Sequence, residues 1–397
     1  MFTFSIRRTA VLLLSLSSLG LAVADSSGGL AGLPVSVRHV PNGGIQPQLL
    51  TDRAGTLHLL YYAGDPAHGD LYYVKSSDAG HTWTSPLRVN SSPGTAIALG
   101  TIRGGQIAIG RRGRVHVAWN GSSLAESLGR KNPEPGQAGA PMLYSRLNDT
   151  HTAFEPERNL MTGTFGLDGG GTIAADASGY VYVAWHARVP GATAGESGRR
   201  VWIATSSDDG KTFTGERPAT HEPTGVCGCC GMTMYSDSHA ILRVLYRSAT
   251  EGVHRDIYLL TSRDRARTFA DRKLDIWDIN ACPMSSMAFA EGAGKVEGSW
   301  ETAGQVYFER LTDTNASPIS APGPGKSRKH PRLSVASNGE TLFVWTDGTG
   351  WNRGGSVGWQ LYDPTEKLTA EKGTVAGVPA WSFAAGAETA QGFLILY

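Results

Sequence analysis

Ser76-Ser77-Asp78-Ala79-Gly80-His81-Thr82-Trp83 is a stretch that this chain repeats. Ser206-Ser207-Asp208-Asp209-Gly210-Lys211-Thr212-Phe213 has the same Ser-x-Asp-x-Gly-x-Thr-aromatic form, and Ser262-Arg263-Asp264-Arg265-Ala266-Arg267-Thr268-Phe269 repeats it with Ala in the Gly slot. A looser copy spans Ser145 to Phe154. The pattern is turn chemistry. Ser and Asp side chains bond nearby backbone N–H groups, Gly supplies a positive φ, and the aromatic ring packs back under a hairpin. Each copy follows an apolar alternating run, so the motif marks a repeated β unit.

These motifs resemble the Asp-box (BNR) repeat of the sialidase superfamily, and the resemblance covers nearly the whole chain after its first residues. It implies a six-bladed β-propeller with the boxes on outer turns, away from the active site. On that basis Asp78, Asp208 and Asp264 are structural.

The rest of the chain carries the same cadence six times. A short apolar strand, a Gly turn and a second strand ending in an aromatic are followed by a loop and a third strand. Blade one reads Pro47 to Leu50, Leu57 to Tyr62 and Leu71 to Lys75. Blade two reads Gln106 to Ile109, Val115 to Trp119 and Met142 to Ser145. Blade three reads Thr172 to Ala175, Val181 to Trp185 and Val201 to Thr205. Blade four reads Met232 to Tyr235, Ile241 to Tyr246 and Ile257 to Thr261. Blade five reads Met284 to Ala290, Lys295 to Trp300 and Gln305 to Arg310. Blade six reads Pro331 to Val335, Thr341 to Trp345 and Gly355 to Tyr362. The tail, Trp381 to Phe383 and Gly392 to Tyr397, adds strands that help close the ring and protect its edges. The long loops 122–140, 189–197 and 316–328 read as surface excursions rather than linkers.

A length of 397 residues with 51 Gly and 20 Pro suits one all-β repeat domain. The formal net charge of +1 gives no case for nucleic acid or an anionic membrane as partner. At the N-terminus, Arg7 and Arg8 precede the apolar run Ala10 to Val23, and Ala22-Val23-Ala24 is a small-residue cleavage site before Asp25. Residues 1–24 therefore read as a signal peptide, with residues 25–397 the propeller. The apolar run is too short for a membrane span. The mature chain is expected to be exported, periplasmic or secreted, where disulfides persist, and to be a monomer.

All four cysteines fall in Cys227-Gly228-Cys229-Cys230 and Cys282-Pro283. Each stretch opens an inner strand, so the blade register brings Cys282 within bonding reach of the other three at the axial face between blades four and five. Three readings compete. Disulfides suit an exported protein. A thiolate site suits a soft metal, with Met232, Met234, Met284 and Met287 close in sequence, although an alternating Met stripe also reads as core. A nucleophilic Cys has no His beside it in the inner-strand register. The Cys-x-Cys-Cys spacing is not that of paired Cys-x₂-Cys zinc ligands.

Tyr246-Arg247, His254-Arg255-Asp256 and Trp277-Asp278-Ile279-Asn280-Ala281-Cys282-Pro283, with the Cys-x-Cys-Cys motif upstream, resemble a subgroup of exported bacterial sialidase-like proteins. The likeness implies that Arg247, Arg255 and Asp256 share a site near the cysteines. Arginine suits capture of a carboxylate or sulfate, with Asp256 as orienting group or acid; an ion pair of Asp256 with either arginine is the competing reading. Sialidases bind the sugar carboxylate with three arginines and use a Tyr–Glu pair and an Asp in catalysis. The first of those arginines lies in an Arg-Ile-Pro motif, but here Gly44-Ile45-Gln46-Pro47 puts Ile45 in its place. Val37-Arg38-His39-Val40-Pro41 echoes it out of register. Arg332 opens an inner strand as an anion-binding candidate. Glu301 is the candidate catalytic carboxylate and Tyr362 the candidate Tyr. Gln46, Gln48, Arg103, Gln106 and Asp168 make a polar funnel suited to a sugar. The expected function is that of a glycan-acting, glycoside hydrolase-like propeller with an altered site. Its ligand is a carbohydrate or other small anion, and no cofactor is assigned. The alternative is a non-catalytic module that binds a ligand or soft metal.

Overall fold

A computed structural model of the chain describes residues 1, 32–129, 139–220 and 223–397. Residues 2–24 of the expected signal peptide, and part of the 122–140 loop, lie outside the described residues. No helix of the described residues is long and apolar enough to cross a membrane.

Six four-stranded antiparallel sheets follow one another along the chain, each with its strands in sequence order. They correspond to blades one to six. The inner strands are Ile45–Thr51, Gln106–Ile109, Thr172–Ala175, Thr233–Ser236, Ala288–Gly292 and Arg328–Val335. A seventh, three-stranded sheet corrects the expected six blades to seven. Ala385–Thr389 pairs antiparallel with Gly392–Leu396, and Gly392–Leu396 pairs parallel with Val35–Arg38 from the other end of the chain. The tail is thus a blade of its own rather than an addition to blade six. The two ends lock further through Val40 N–H to Tyr397 O at 3.0 Å and Tyr397 N–H to Arg38 O at 3.1 Å.

The aromatic at the end of each second strand explains why the blades pack. Tyr62, Trp119, Trp185, Tyr246, Trp300 and Trp345 occupy this place in blades one to six, and all are buried. Each fills the wedge between neighbouring sheets, where a large ring removes the most apolar area from water.

The three repeated motifs form the same turn between third and fourth strands. In the first, Thr82 N–H donates to Asp78 Oδ1 at 2.9 Å and Thr82 Oγ1 to Asp78 Oδ2 at 2.6 Å, while Ser76 Oγ accepts from Gly80 N–H at 2.9 Å. The second and third copies repeat these bonds around Asp208 and Asp264. Ala266 occupies the Gly slot at φ 63°, close to the 75° of Gly210. The loose copy lies at the same place in blade two, with Asn148 accepting from Thr152 N–H at 3.0 Å. Trp83, Phe213 and Phe269 pack onto the blade cores as the motif requires.

These turns face the end of the ring opposite the inner-strand starts, so Asp208→Ala should lower stability by about 1 kcal/mol and leave ligand binding intact. Despite the opposing effect of burial, the bonds from Thr212 and Ser206 bring the Asp208 carboxyl down to about 2. Its contribution is present above the ordinary carboxylate value of 3.8 and is lost as pH falls toward 2. Denaturant melts of wild type and variant at pH 7 and pH 2.5 check this, and a difference that widened in acid would refute it.

Glu297 carries a second pH-dependent effect. It is fully buried in the second strand of blade five, where Thr341 Oγ1 donates to Oε1 at 3.2 Å and Oε2 has no partner. Burial pushes its carboxyl up to about 7 from 4.5. The folded state therefore keeps a proton that the unfolded chain releases, and wild-type stability falls as pH climbs through that window. Glu297→Gln should gain about 3 kcal/mol at pH 8 and nothing at pH 4, from about 1.4 kcal/mol for each pH unit of the window. Urea unfolding at the two pH values decides the matter; a gain independent of pH would count against it.

Candidate functional site

The inner strands surround an axial cavity of about 1100 Å³, walled by residues of all seven blades. Gln46, Thr101, Ser286 and Arg332 lie toward its upper end, where the inner strands begin.

Arg332 is half-buried in the cavity wall. Its Nη1 donates to Pro331 O at 3.2 Å, Ser286 Oγ at 3.3 Å and Met287 O at 3.4 Å, and its guanidinium lies 4.5 Å from the Phe383 ring. No carboxylate of the described residues pairs with it. Burial pulls its pKa down to about 10, so it stays charged at neutral pH. The adjoining His330 bridges Thr101 Oγ1 and Ser286 Oγ at 3.1 Å each, and burial drives its pKa well below 6.5. A neutral imidazole thus braces the wall and leaves Arg332 as its cation.

Of the residues expected to form a polar funnel, three line the cavity and two do not. Gln46, Gln48 and Gln106 line the cavity. Gln46 Nε2 donates to Ala98 O at 2.6 Å and Trp381 O at 2.8 Å, while Gln46 Oε1 and Gln48 Nε2 have no partner although buried. Arg103 and Asp168 pair with each other, and Arg103 Nε also donates to Asp168 O at 2.8 Å. The Arg103 guanidinium lies 6.0 Å from the ring of Trp351, which is 52% exposed and meets Trp381 edge-on at 5.1 Å. Sequence reasoning missed Trp351 and Trp381. An aromatic in the Gly-rich turn after a second strand, as in Gly348-Thr349-Gly350-Trp351, was the available signal.

At the same upper end, between blades four and five, the cysteines converge as the register predicts. Cys229 and Cys282 form a disulfide with Cα atoms 6.2 Å apart. Cys227 and Cys230 are free and buried, with sulfurs 2.7 Å apart, and Cys227 Sγ lies 3.5 Å from Cys229 Sγ. Met232, Met234 and Met287 belong to the apolar cores. Arg247 and Arg255 do stand beside the cysteines, but each has a glutamate and neither pairs with Asp256. Arg247 donates to Arg255 O at 2.7 Å and to Glu301 O, lies 3.6 Å from Glu301 Oε2, and stacks 5.0 Å from Trp277. Arg255 pairs with Glu196 at 2.7 Å. Asp256 pairs with Lys273 at 2.7 Å and accepts from Trp277 N–H at 3.1 Å, so its carboxylate is committed to the blade's outer strand. Glu301 is buried, and burial raises its pKa.

The remaining sialidase parts are not assembled. Ile45 packs against the blade-one core. Arg38 donates to Gly80 O at 2.8 Å from the outer strand of blade seven. Tyr362 pairs in register with Thr341, the first residue of its neighbouring strand, and so sits at the opposite end of the ring from Glu301. Its ring packs 5.0 Å from Phe308, and burial raises its hydroxyl to about 12.

No protein-family model matches this sequence, and no curated protein matches it significantly. Its similarity lies in structure. A Dyadobacter fermentans protein of unknown function superposes with a TM-score of 0.52 at 14% identity, over 84% of this chain and 94% of that one. A Hadza microbial sialidase gives 0.51 at 13% identity, over 77% of this chain and 64% of its own. An α-L-arabinanase of Penicillium chrysogenum gives 0.51 at 13%, over 83% and 96%. At such identities the likeness is one of fold, a β-propeller.

Proposed function

We propose that the chain is an exported, sialidase-like propeller that recognises an anionic glycan at the upper end of its axial cavity, with a site that differs from that of a sialidase. The observation that carries this reading is Arg332, a cation without a carboxylate partner among the described residues, in a cavity also walled by Gln46, Gln48 and Gln106. A sugar carboxylate or sulfate supplies the acceptor that the guanidinium lacks. Trp351 offers an exposed ring at the same end of the ring of blades. Similarity in fold to a sialidase and an arabinanase fits a glycan ligand. Hydrolysis by a Tyr–Glu pair has no support, because Tyr362 and Glu301 stand at opposite ends.

Calorimetric titration with uronate, sulfated, sialylated and neutral oligosaccharides tests the reading. An acidic sugar should bind, and Arg332→Ala should weaken it by roughly 10- to 150-fold, the value of one charge-assisted bond of about 1.5–3 kcal/mol. Simple sialosides should not be hydrolysed, since Ile45 supplies no charge. Preference for neutral sugars, indifference to Arg332→Ala, or robust sialoside turnover would sink the proposal.

A further inference from the structure

Cys227 and Cys230 remain outside the glycan reading. Both thiols are buried, and with Cys229 they are the one group of three or more potential metal ligands that converges among the described residues, all three sulfurs lying within 4.8 Å of one another. Cys229 is bonded to Cys282, which leaves two sulfurs able to become thiolates. A second observation concerns charge. Arg247 Nε and Arg255 Nε and Nη1 are buried N–H donors with no acceptor. Arg247 acts electrostatically on Cys230, and Arg255 on both thiols. Around the pair stand four cations, Arg199, Arg247, Arg255 and Lys329, and two carboxylates, Glu196 and Glu301. Positive charge is therefore in surplus at a site holding two groups that can become anionic.

We propose that Cys227 and Cys230 bind a single Cu(I) ion as a buried bis-thiolate centre, balanced in charge by Arg247 and Arg255. The donor set selects the metal. Thiolates favour soft cations, and two of them complete the shell of Cu(I). Zinc requires four ligands, and no His or carboxylate joins the cluster. Two thiolates and one Cu(I) carry a single negative charge, which suits a site where positive charge is in surplus. Metal–sulfur bonds of about 2.3 Å hold two sulfurs up to roughly 4.6 Å apart. The present 2.7 Å must therefore widen on binding. Binding releases two protons and changes no oxidation state, so the Cys229–Cys282 disulfide stays intact. The pair lies near the surface: Cys227 Sγ is 3.5 Å from the sulfur of half-buried Cys229, which is bonded to exposed Cys282.

The test is anaerobic titration of the purified mature protein with Cu(I), kept reduced by ascorbate and competed by bicinchoninate. One equivalent should be withheld from the competitor, and X-ray absorption should show two sulfur ligands. Cys227→Ser/Cys230→Ser should abolish retention while glycan binding persists, and Cys229→Ser/Cys282→Ser should keep it. Thermal melts establish that each variant folds, and the absorption spectrum of the wild type needs no variant. Retention by the Cys227→Ser/Cys230→Ser protein would overturn the assignment, as would preferential retention of zinc. Thiol titration finding Cys227 and Cys230 disulfide-bonded in copper-free protein, with no copper taken up, would identify a redox pair instead.

Discussion

Deletion of residues 392–397 should leave a chain that no longer unfolds as one cooperative unit. Gly392–Leu396 is the middle strand of blade seven, and its loss removes both ladders of that sheet at once. Phe393, Leu394, Ile395, Leu396 and Tyr397 are all buried. Phe393 and Ile395 pack with Leu342 and Val344 of blade six, and Leu394 and Leu396 with Leu57 and Leu59 of blade one. The strand is the keystone between first and last repeats. Five such side chains at about 1.5–3 kcal/mol each contribute roughly 8–15 kcal/mol, as much as the whole stability of an ordinary domain. The cut also bares the edges of blades that closure protects, so aggregation should follow. Deletion of residues 32–38 should do less, because Val35–Arg38 is the outer strand and is only part-buried. Thermal melts by circular dichroism, with size-exclusion chromatography, distinguish the two. A cooperative melt within a few degrees of wild type after the C-terminal deletion would show that six blades suffice.

That prediction concerns the one blade the repeat pattern does not reveal. Blades one to six are legible because each runs through one continuous segment and because Asp78, Asp208 and Asp264 need the same local bonds wherever the turn occurs. Blade seven has no third-to-fourth-strand turn, and its strands come from opposite ends, so no internal period marks it. The approach of Cys282 to the 227–230 segment was legible for a related reason, though not its pairing with Cys229: starts of consecutive inner strands must adjoin around an axis. Partner choice was not. Asp256 pairs with Lys273 from its own blade's outer strand and Arg255 with Glu196 from a blade-three loop. Loop geometry sets these pairings, and strand alternation says nothing of it. Tyr362 stood within reach of sequence reasoning, since the end of a third strand lies on the Asp78-type turn side of a blade, away from Glu301.

Arg247→Ala should destabilise the protein by about 3–5 kcal/mol at pH 8, the usual effect of removing one member of a buried ion pair. The Arg247 side chain is fully buried, donates to two carbonyls, faces the Glu301 carboxylate at 3.6 Å and stacks on Trp277. Truncation opens a cavity and leaves Glu301 charged without its partner. The effect should depend on pH in a defined direction. Burial already raises the Glu301 pKa, and Arg247 opposes that rise. Without Arg247 the folded-state value climbs further above 4.5, so the folded variant holds a proton that its unfolded chain releases. Destabilisation is then smallest below the unfolded value and grows as pH passes upward through the folded one. Glu301→Gln placed in the Arg247→Ala background removes the buried charge and should recover part of the loss at pH 8 but little at pH 4.5. The recovered part reports charge, and the remainder reports the cavity and the two bereft carbonyls. Guanidinium unfolding of the single and double variants at both pH values completes the cycle. A loss under 1 kcal/mol for Arg247→Ala, or one unchanged between the two pH values, would mean that water reaches Glu301 and that this corner of the cysteine site is not sealed.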